Sequence, residues 1–305
     1  MLSPISRAVL LAMKLTLPLI TGENDIKKQR LAQDSLCMLI KPVEKDMTYK
    51  DICIDGIPCA WISPMESYLP PTDKIILYFH GGAYITGTLK YARILASKLA
   101  SASGINTLTF EYRLSPEFKY PCAVEDALKV YRWLLKTGYN PENIIFAGES
   151  AGGNLCLTTT LTLRQRGEPL PNSLICMSPW TDMTGNSESF KINTGIDPTL
   201  NPESLLASAR NYAGNMSLDD PFISPVFADF SNFPATLIQV GDIEVLLDDS
   251  KTLFKQMTKA GVDCELRIFE GMCHVFHILN IPEAKEAIND IANFITERFS
   301  KKISF

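Results

Sequence analysis

The sequence predicts an α/β fold: a mostly parallel, eight-stranded sheet with helices on both faces. Two observations lead to this prediction. From about residue 74 onward, short apolar segments alternate with segments of helical length. Before them, residues 49–64 alternate in hydrophobicity around Asp55-Gly56, which is typical of a β-hairpin. Strand–helix alternation of this kind indicates parallel strands joined by crossover helices.

The predicted elements follow one another in a regular order. Crossovers between parallel strands are right-handed, and ligands gather at the carboxyl ends of such strands. We therefore look for function in the segments that directly follow strands. After the hairpin, strands are predicted at 74–80, 106–112, 143–148, 173–178, 235–241 and 264–269, and helices at 91–104, 120–138, 153–167 and 283–302.

Two segments do not fit this alternation, and we expect them to form a helical cap above the sheet. Residues 1–45 contain two helix-like stretches and are predicted to be N-terminal cap helices. Residues 183–220 are rich in Asn, Ser, Gly and Pro and include a helix-like stretch, so they are predicted to be a cap insertion. The main α/β domain then comprises residues 46–182 and 221–305.

Composition limits the partner and the compartment. The chain has 305 residues, a net charge of −5 and no Lys/Arg-rich block, which argues against nucleic acid. Eight cysteines without a C-x-x-C pattern predict reduced structural thiols and a cytoplasmic location. Lys14 interrupts the apolar N-terminus and no cleavage site follows it, so no integral membrane span is predicted. Membrane association or export through this segment is the alternative.

The segment NIIFAGESAGGNLCL, residues 143–157, carries the first functional signal. Ser150 lies where a predicted strand meets a predicted helix, with Gly148 two residues before it and Gly152 two residues after it. So sharp a turn strains the serine backbone and leaves room only for very small neighbours, as in the G-x-S-x-G nucleophile elbow. Ser150 is therefore the candidate nucleophile. A glycine-rich turn with an incidental serine is the alternative interpretation.

A second segment, HGGA at residues 80–83, follows the first predicted strand of the parallel part of the sheet. Acyl transfer needs N–H donors aimed at the developing oxyanion, and a loop without bulky side chains lets the backbone approach that closely. We predict the N–H groups of Gly81 and Gly82 as donors, together with that of Ala151, which follows the nucleophile. His80 is predicted to be structural, with its ring bonded to nearby backbone.

A serine nucleophile needs a base and an acid that orients the base. Of the three histidines, His274 comes first after the last predicted strand and is the candidate base, whereas His277 is expected to be non-catalytic. A metal site at this pair lacks a third ligand. Asp242 and Glu244 both follow the strand at 235–241, and chemistry alone leaves the choice between these two acids open.

Eight motifs follow one another along the chain: HGGA (80–83), EYRLSPE (111–117), YPCAVEDA (120–127), GESAGG (148–153), SPWTDMT (178–184), DPFISP (220–225), VGDIEVLLDD (240–249) and GMCHVF (271–276). Together they resemble the hormone-sensitive-lipase-like, or family IV, carboxylesterases of the α/β-hydrolase superfamily. The resemblance implies an α/β-hydrolase fold with the chain order Ser, acid, His. The spacing of 30 positions between Glu244 and His274 matches the family and favours Glu244, with Asp242 in reserve. The resemblance also implies that Glu149 supports the oxyanion loop or neighbouring Tyr or Arg side chains.

The function that the resemblance implies is a serine carboxylesterase that hydrolyses short- to medium-chain acyl esters through an acyl-enzyme, without metal or organic cofactor. An amidase, a thioesterase or an interfacial lipase would use the same triad. A non-catalytic ligand-binding protein on this fold is the alternative from another class. The expected partners are a small acyl ester and, as in many family members, a second copy in a homodimer. Candidate pocket residues are Tyr84, Met65, Phe222 and Phe276.

Overall fold

The computed structural model of the chain describes residues 2–21, 25–39, 46–65 and 73–300. Within these ranges the strands form one eight-stranded sheet, in the order β1-β2-β4-β3-β5-β6-β7-β8. The strands are β1 (Met47–Ile54), β2 (Ile57–Pro64), β3 (Ile75–Phe79), β4 (Asn106–Phe110), β5 (Ile144–Glu149), β6 (Ser173–Met177), β7 (Ala235–Gly241) and β8 (Cys264–Phe269).

The predicted fold class is confirmed. β1 and β2 form an antiparallel hairpin that turns at Asp55-Gly56, and β2 also pairs antiparallel with β4. The pairs from β4 through β3 and on to β8 are all parallel. Because these strands are parallel, their carboxyl ends lie along one edge of the sheet. The loops at that edge carry the segments that the sequence singles out.

Helices cover both faces of the sheet. α3 and α9 pack on one face, and α4, α5 and α8 pack on the other. The helices are α1 (Pro4–Thr21), α2 (Ile26–Leu39), α3 (Leu89–Ser103), α4 (Cys122–Lys136), α5 (Ala151–Gln165), α6 (Glu188–Ile192), α7 (Pro202–Ala213), α8 (Leu247–Lys259) and α9 (Pro282–Ser300).

The central strand β3 shows why a continuous apolar run forms this sheet. Alternate side chains of a strand point to opposite faces. Ile75, Leu77 and Phe79 enter the core under α4 and α5, whereas Ile76 and Tyr78 enter the core under α3 and α9. All five are fully buried because both faces are covered by helices.

The two N-terminal helices lie near the carboxyl edge of the sheet. The Ser3 N–H donates to Glu283 Oε1 of α9 at 2.8 Å, which fixes the beginning of α1. Apolar residues of α1, such as Val9, pack with Met272 and Phe276, which follow β8. α6 and α7 lie within residues 183–220. No helix in the described ranges is long and apolar enough to cross a membrane.

Candidate active site

The turn between β5 and α5 holds Ser150 in a strained conformation. Its backbone angles are φ 55° and ψ −121°, a region that non-glycine residues rarely occupy. A Cβ on Gly148 would lie 2.5 Å from Gly152 O, and one on Gly152 would lie 2.0 Å from Phe79 O. The glycines therefore let α5 begin directly against β3 and β5, which is the physical basis of the elbow.

Glu244 and His274 form a buried acid–imidazole pair. Glu244 Oε2 lies 2.9 Å from His274 Nδ1, and Glu244 is fully buried. Burial raises the pKa of Glu244, while its bonds to His274 lower it. The Gly241 N–H donates to Glu244 Oε1 at 2.6 Å. With Nδ1 engaged by the carboxylate, Nε2 of His274 is the nitrogen that can take a proton from a hydroxyl.

Ser150 lies at the same edge of the sheet as His274, but the two side chains are not hydrogen-bonded. Ser150 Oγ makes no hydrogen bond within the described part of the chain. Catalytic hydrogen bonds of free enzymes are often long and tighten only when substrate binds. The contact with Glu244 therefore fixes the orientation of the His274 ring, and a proton transfer from Ser150 would require its hydroxyl to approach that ring.

Ser178, which sequence reasoning missed, connects the acid to the loop that bears His274. Its Oγ donates to Glu244 Oε1 at 2.7 Å and accepts from the Val275 N–H at 3.2 Å. Both Ser178 and Val275 have positive φ, 47° and 51° respectively. The available signal was its position directly after β6, at the carboxyl edge of the sheet.

The oxyanion loop, residues 80–87, differs from the prediction at Gly81. Its N–H donates to Glu149 Oε1 at 2.6 Å and is therefore not available to an oxyanion. The N–H groups of Gly82, Ala83 and Ala151 donate to no described residue. Gly82 has φ +116°, and a Cβ there would lie 2.4 Å from Thr86 O, so only glycine fits. The Ala83 N–H is a candidate oxyanion donor that sequence reasoning did not single out.

Glu149 holds the oxyanion loop from beneath. Besides the Gly81 N–H, its carboxylate accepts a hydrogen bond from the Tyr78 hydroxyl. Full burial raises the pKa of Glu149 to about 7, and the two hydrogen bonds oppose that rise because they favour the charged form. These hydrogen bonds tie the loop to the strand end that precedes Ser150.

The other two histidines are buried away from the proton-transfer position. His80 Nδ1 donates to Gly81 O at 2.8 Å, and its ring stacks on Tyr112 at 4.2 Å. Burial lowers the pKa of His80 to about 4. His277 Nε2 lies 3.0 Å from Gln239 Oε1, and burial lowers the pKa of His277 to about 3. Among the described residues, no group of His, Cys, Asp and Glu side chains could hold a metal ion.

Asp242, the reserve acid, faces a different partner. Its Oδ1 accepts the Gly271 N–H at 2.5 Å, so it ties the turn after β7 to the turn after β8. A Cβ on Gly241 would lie 1.9 Å from Met272 O, which shows how closely the two turns approach. Of the two acids, the structure brings Glu244 to the imidazole.

Three of the four predicted pocket residues are not positioned to line an open pocket. Met65 follows β2, which runs opposite to β4, so it lies at the amino edge of the parallel strands, and it is 56% exposed. Phe276 is fully buried against Phe269 and packs with α1, and Tyr84 is fully buried and stacks on Tyr212 of α7 at 3.6 Å. Phe222 is partly buried against the main core. Hydrophobicity specifies neither the edge of the sheet that a residue occupies nor whether its side chain is buried.

Comparison with known proteins identifies the family. The fold and the elbow define an α/β-hydrolase, and a family model described as "alpha/beta hydrolase fold" matches residues 76–278. The "Esterase" of Acinetobacter venetianus is 37% identical over 266 residues, 86% of this chain and 86% of that protein. The "Acetyl-hydrolase" of Streptomyces hygroscopicus is 35% identical over 246 residues, 80% of this chain and 81% of that protein.

A solved structure gives the same result. The crystal structure of an esterase from the bacterial hormone-sensitive lipase (HSL) family has a TM-score of 0.90 to this chain. It is 36% identical and covers 97% of this chain and 98% of that one. The chain therefore belongs to the hormone-sensitive-lipase-like esterases of the α/β-hydrolase fold.

Proposed function

We propose that this chain is a carboxylic ester hydrolase in which Ser150 is the nucleophile, His274 the base and Glu244 the acid that orients the base. The observation that carries the proposal is the buried contact between Glu244 Oε2 and His274 Nδ1 at 2.9 Å, at the same edge of the sheet as the strained Ser150. The esterases to which the chain is related support the reaction class.

The proposed reaction has two steps. Ser150 Oγ attacks the ester carbonyl while His274 Nε2 takes its proton, and His274 then gives this proton to the leaving alcohol. Glu244 holds the imidazole by Nδ1 and stabilises its protonated form. His274 then takes a proton from water, which attacks the acyl-serine. The bond between the acyl carbon and Ser150 Oγ breaks, Ser150 Oγ recovers the proton from His274, and the carboxylic acid is released. In each step the N–H groups of Gly82, Ala83 and Ala151 stabilise the oxyanion.

We propose short- to medium-chain acyl groups as substrates. The acetyl-hydrolase relative supports the short end of this range. Residues 1–45 and 183–220 are proposed to act as the cap that limits acyl length. In support, Asn193 Nδ2 donates to Glu244 O at 2.7 Å, and Tyr212 of α7 stacks on Tyr84. Residues 1, 22–24 and 40–45 of the proposed cap lie outside the described residues.

We also propose a cytoplasmic location and a homodimer. Seven cysteines of the described chain are free, which fits a reducing compartment. β8 is the last strand of the sheet, and its Ile268 is 46% exposed, so it offers an edge to a second copy. Light scattering of the wild-type chain and of Ile268→Glu would test the dimer, which the charge should weaken. A wild-type monomer, or an unchanged mass for the variant, would contradict this arrangement.

The test of the proposed function is Ser150→Ala with p-nitrophenyl acetate and butyrate as substrates. We expect kcat to fall by a factor on the order of 10⁴ or more, because triad residues act as a unit. Hydrolysis within about tenfold of the wild-type rate would disprove the mechanism, since loss of a nucleophile costs far more. Wild-type labelling by a fluorophosphonate, absent in Ser150→Ala, separates the enzyme from a ligand-binding protein. Matched anilide and thioester substrates separate an esterase from an amidase or thioesterase.

A further inference from the structure

We propose that Arg30, on the N-terminal helix α2, is a positioning residue for the oxyanion loop and so couples the docking of α2 to catalysis. The inference rests on the proposed function of that loop. Arg30 makes no hydrogen bond to Ser150 or to the proposed oxyanion donors Gly82 and Ala83. It acts through the backbone carbonyls of Ile85 and Ser115.

The guanidinium of Arg30 joins three parts of the chain. Its Nε donates to Ile85 O at 2.8 Å, and its Nη2 donates to Ser115 O at 3.1 Å. Its Nη1 and Nη2 also donate to the two carboxylate oxygens of Glu117, at 2.9 and 2.8 Å. The planar fork of an arginine suits this arrangement, because Glu117 fixes the guanidinium in the plane from which it reaches both carbonyls.

Both carbonyl-bearing residues hold the oxyanion loop by further hydrogen bonds. The Ile85 N–H donates to Gly82 O at 3.0 Å. The Ser115 N–H and Oγ both donate to Tyr84 O, at 2.8 and 3.1 Å. Arg30 is therefore connected to Gly82 through Ile85 and to Tyr84 through Ser115. Gly82 and Tyr84 lie on either side of Ala83 in the loop.

The backbone conformation of the oxyanion loop requires such support. Ala83 and Tyr84 have φ of 52° and 61°, a strained conformation for residues with a Cβ. Such a conformation persists only where the surrounding structure holds it. An oxyanion donor displaced by a fraction of an ångström loses much of its effect on the transition state.

Arg30 reaches the loop beside an open cavity. The cavity has a volume of about 440 Å³ and is lined by Arg30, Gln33, Gly87, Thr88, Leu114, Glu117 and Phe118. Because the space beside the ion pair is open, we expect the hydrogen bonds of Arg30 to contribute to holding α2 against this region.

The chain offers a matched control for an ordinary surface ion pair. Arg132 also makes a two-pronged contact with a carboxylate, that of Glu168, at 2.8 and 2.5 Å. The side chains of Arg30 and Arg132 are comparably exposed, at 32% and 38%, whereas Glu117 is more exposed than Glu168. Within the described chain, Arg132 donates to no backbone carbonyl. Exposed ion pairs by themselves contribute little to stability. A specific effect of Arg30 must therefore come from the two carbonyls.

The experiment compares Arg30→Met with Arg132→Met. For each variant, kcat is calculated per active site, and the concentration of active sites is measured by fluorophosphonate labelling. We expect Arg30→Met to lower kcat on p-nitrophenyl butyrate by about 10- to 100-fold, less than the loss of a whole oxyanion donor. KM should change by less than about threefold, because the defect is in transition-state stabilisation. A trifluoromethyl ketone inhibitor, which forms an oxyanion adduct, should bind more weakly by the same factor. Arg132→Met should match the wild type in all three measurements.

Arg30→Lys keeps the charge but not the fork, so its kcat should fall between those of the wild type and Arg30→Met. This variant decides the question if Arg30→Met does not fold. Any of three results overturns the inference. The first is a wild-type kcat in Arg30→Lys, the second is an Arg30→Met variant in which only KM changes, and the third is an equal fall of kcat in Arg132→Met. A wild-type chain without Ser150-dependent ester hydrolysis would instead disprove the proposed function, so the two failures are distinguishable.

Discussion

At the scale of single residues, two acids two positions apart have separate tasks. Glu244 faces His274 Nδ1, whereas Asp242 binds the Gly271 N–H and fastens two turns together. Both are carboxylic acids, and both follow β7 directly. The difference arises because the chain turns between them, so that their side chains meet different neighbours.

Glu244→Gln and Asp242→Asn should therefore differ strongly in activity. We expect Glu244→Gln to lower kcat by roughly 10³- to 10⁴-fold, because an amide neither orients the correct tautomer nor stabilises the imidazolium. Asp242→Asn keeps an oxygen for the Gly271 N–H and should lose less than about tenfold. Steady-state kinetics on p-nitrophenyl butyrate measures both. A larger loss in Asp242→Asn than in Glu244→Gln would reverse the assignment of the acid.

Ser178→Ala tests the hydrogen bond that supports the acid. The change leaves Glu244 Oε1 with the Gly241 N–H and removes the acceptor of the Val275 N–H. Because a donor to the charged carboxylate is lost, the pKa of Glu244 should rise further. The acid limb of the pH–kcat profile should then move to higher pH, with kcat falling about tenfold. An unchanged profile would show that Ser178 does not support the acid, and Ser178→Thr, which keeps a hydroxyl, is the conservative control.

At the scale of elements, the elbow depends on a close approach of α5 to β3. Gly152 begins the first turn of α5 and lies against the carbonyls of Phe79 and His80. Those carbonyls end β3, at the start of the oxyanion loop. The same contact between α5 and β3 therefore positions both Ser150 and the oxyanion loop.

Gly152→Ala should break this contact. Its Cβ would lie 2.0 Å from Phe79 O, a backbone atom that cannot move without shifting β3. We expect the free energy of unfolding to fall by at least about 3 kcal/mol, or the chain not to fold. Gly167→Ala is the control: Gly167 has φ +65° and nothing within 4 Å of an added Cβ, so it should lose only about 1 kcal/mol. Urea unfolding measures both, and similar losses would contradict the role given to Gly152.

At the scale of the whole molecule, the buried histidines link stability to pH. His277 is fully buried, and its pKa is lowered to about 3 by burial, with further contributions from Lys98 and His274. In the unfolded chain its pKa returns to about 6.5. Between these two values the unfolded chain binds a proton that the folded chain does not. The contribution of His277 to stability is therefore full above pH 6.5 and is lost as pH falls towards 3.

His277→Gln should reduce this loss of stability in acid. Glutamine can still donate to Gln239 Oε1 but takes up no proton in the unfolded state. The wild type should lose stability relative to the variant by up to about 1.4 kcal/mol for each pH unit below 6.5. Urea unfolding at pH 7.5 and pH 5 gives the difference in free energy of unfolding between the two proteins at each pH. The contributions of the other titrating groups cancel in this difference, because both proteins contain them. Parallel stability curves for the two proteins would contradict the lowered pKa of His277.

Much of the fold and part of the site could be predicted because the signals are local. Strand–helix alternation gave the sheet and its layers, and small residues on both sides of Ser150 indicated the sharp turn after β5. His274 could be selected because it is the first histidine after the last strand. Each of these signals lies within a short stretch of chain, where backbone geometry limits the residues that fit.

The reaction class could be predicted from local sequence, because the turn at Ser150 and the glycine-containing loop each need particular residues next to one another. The folded structure was needed to show three other features: the Gly81 N–H binds Glu149, Ser178 joins Glu244 to the loop that bears His274, and Met65 lies at the amino edge of the parallel strands. These features depend on contacts between segments that are distant in the chain. Hydrogen-bond partners of that kind are set by the packing of strands and helices, and no local pattern of residues specifies them.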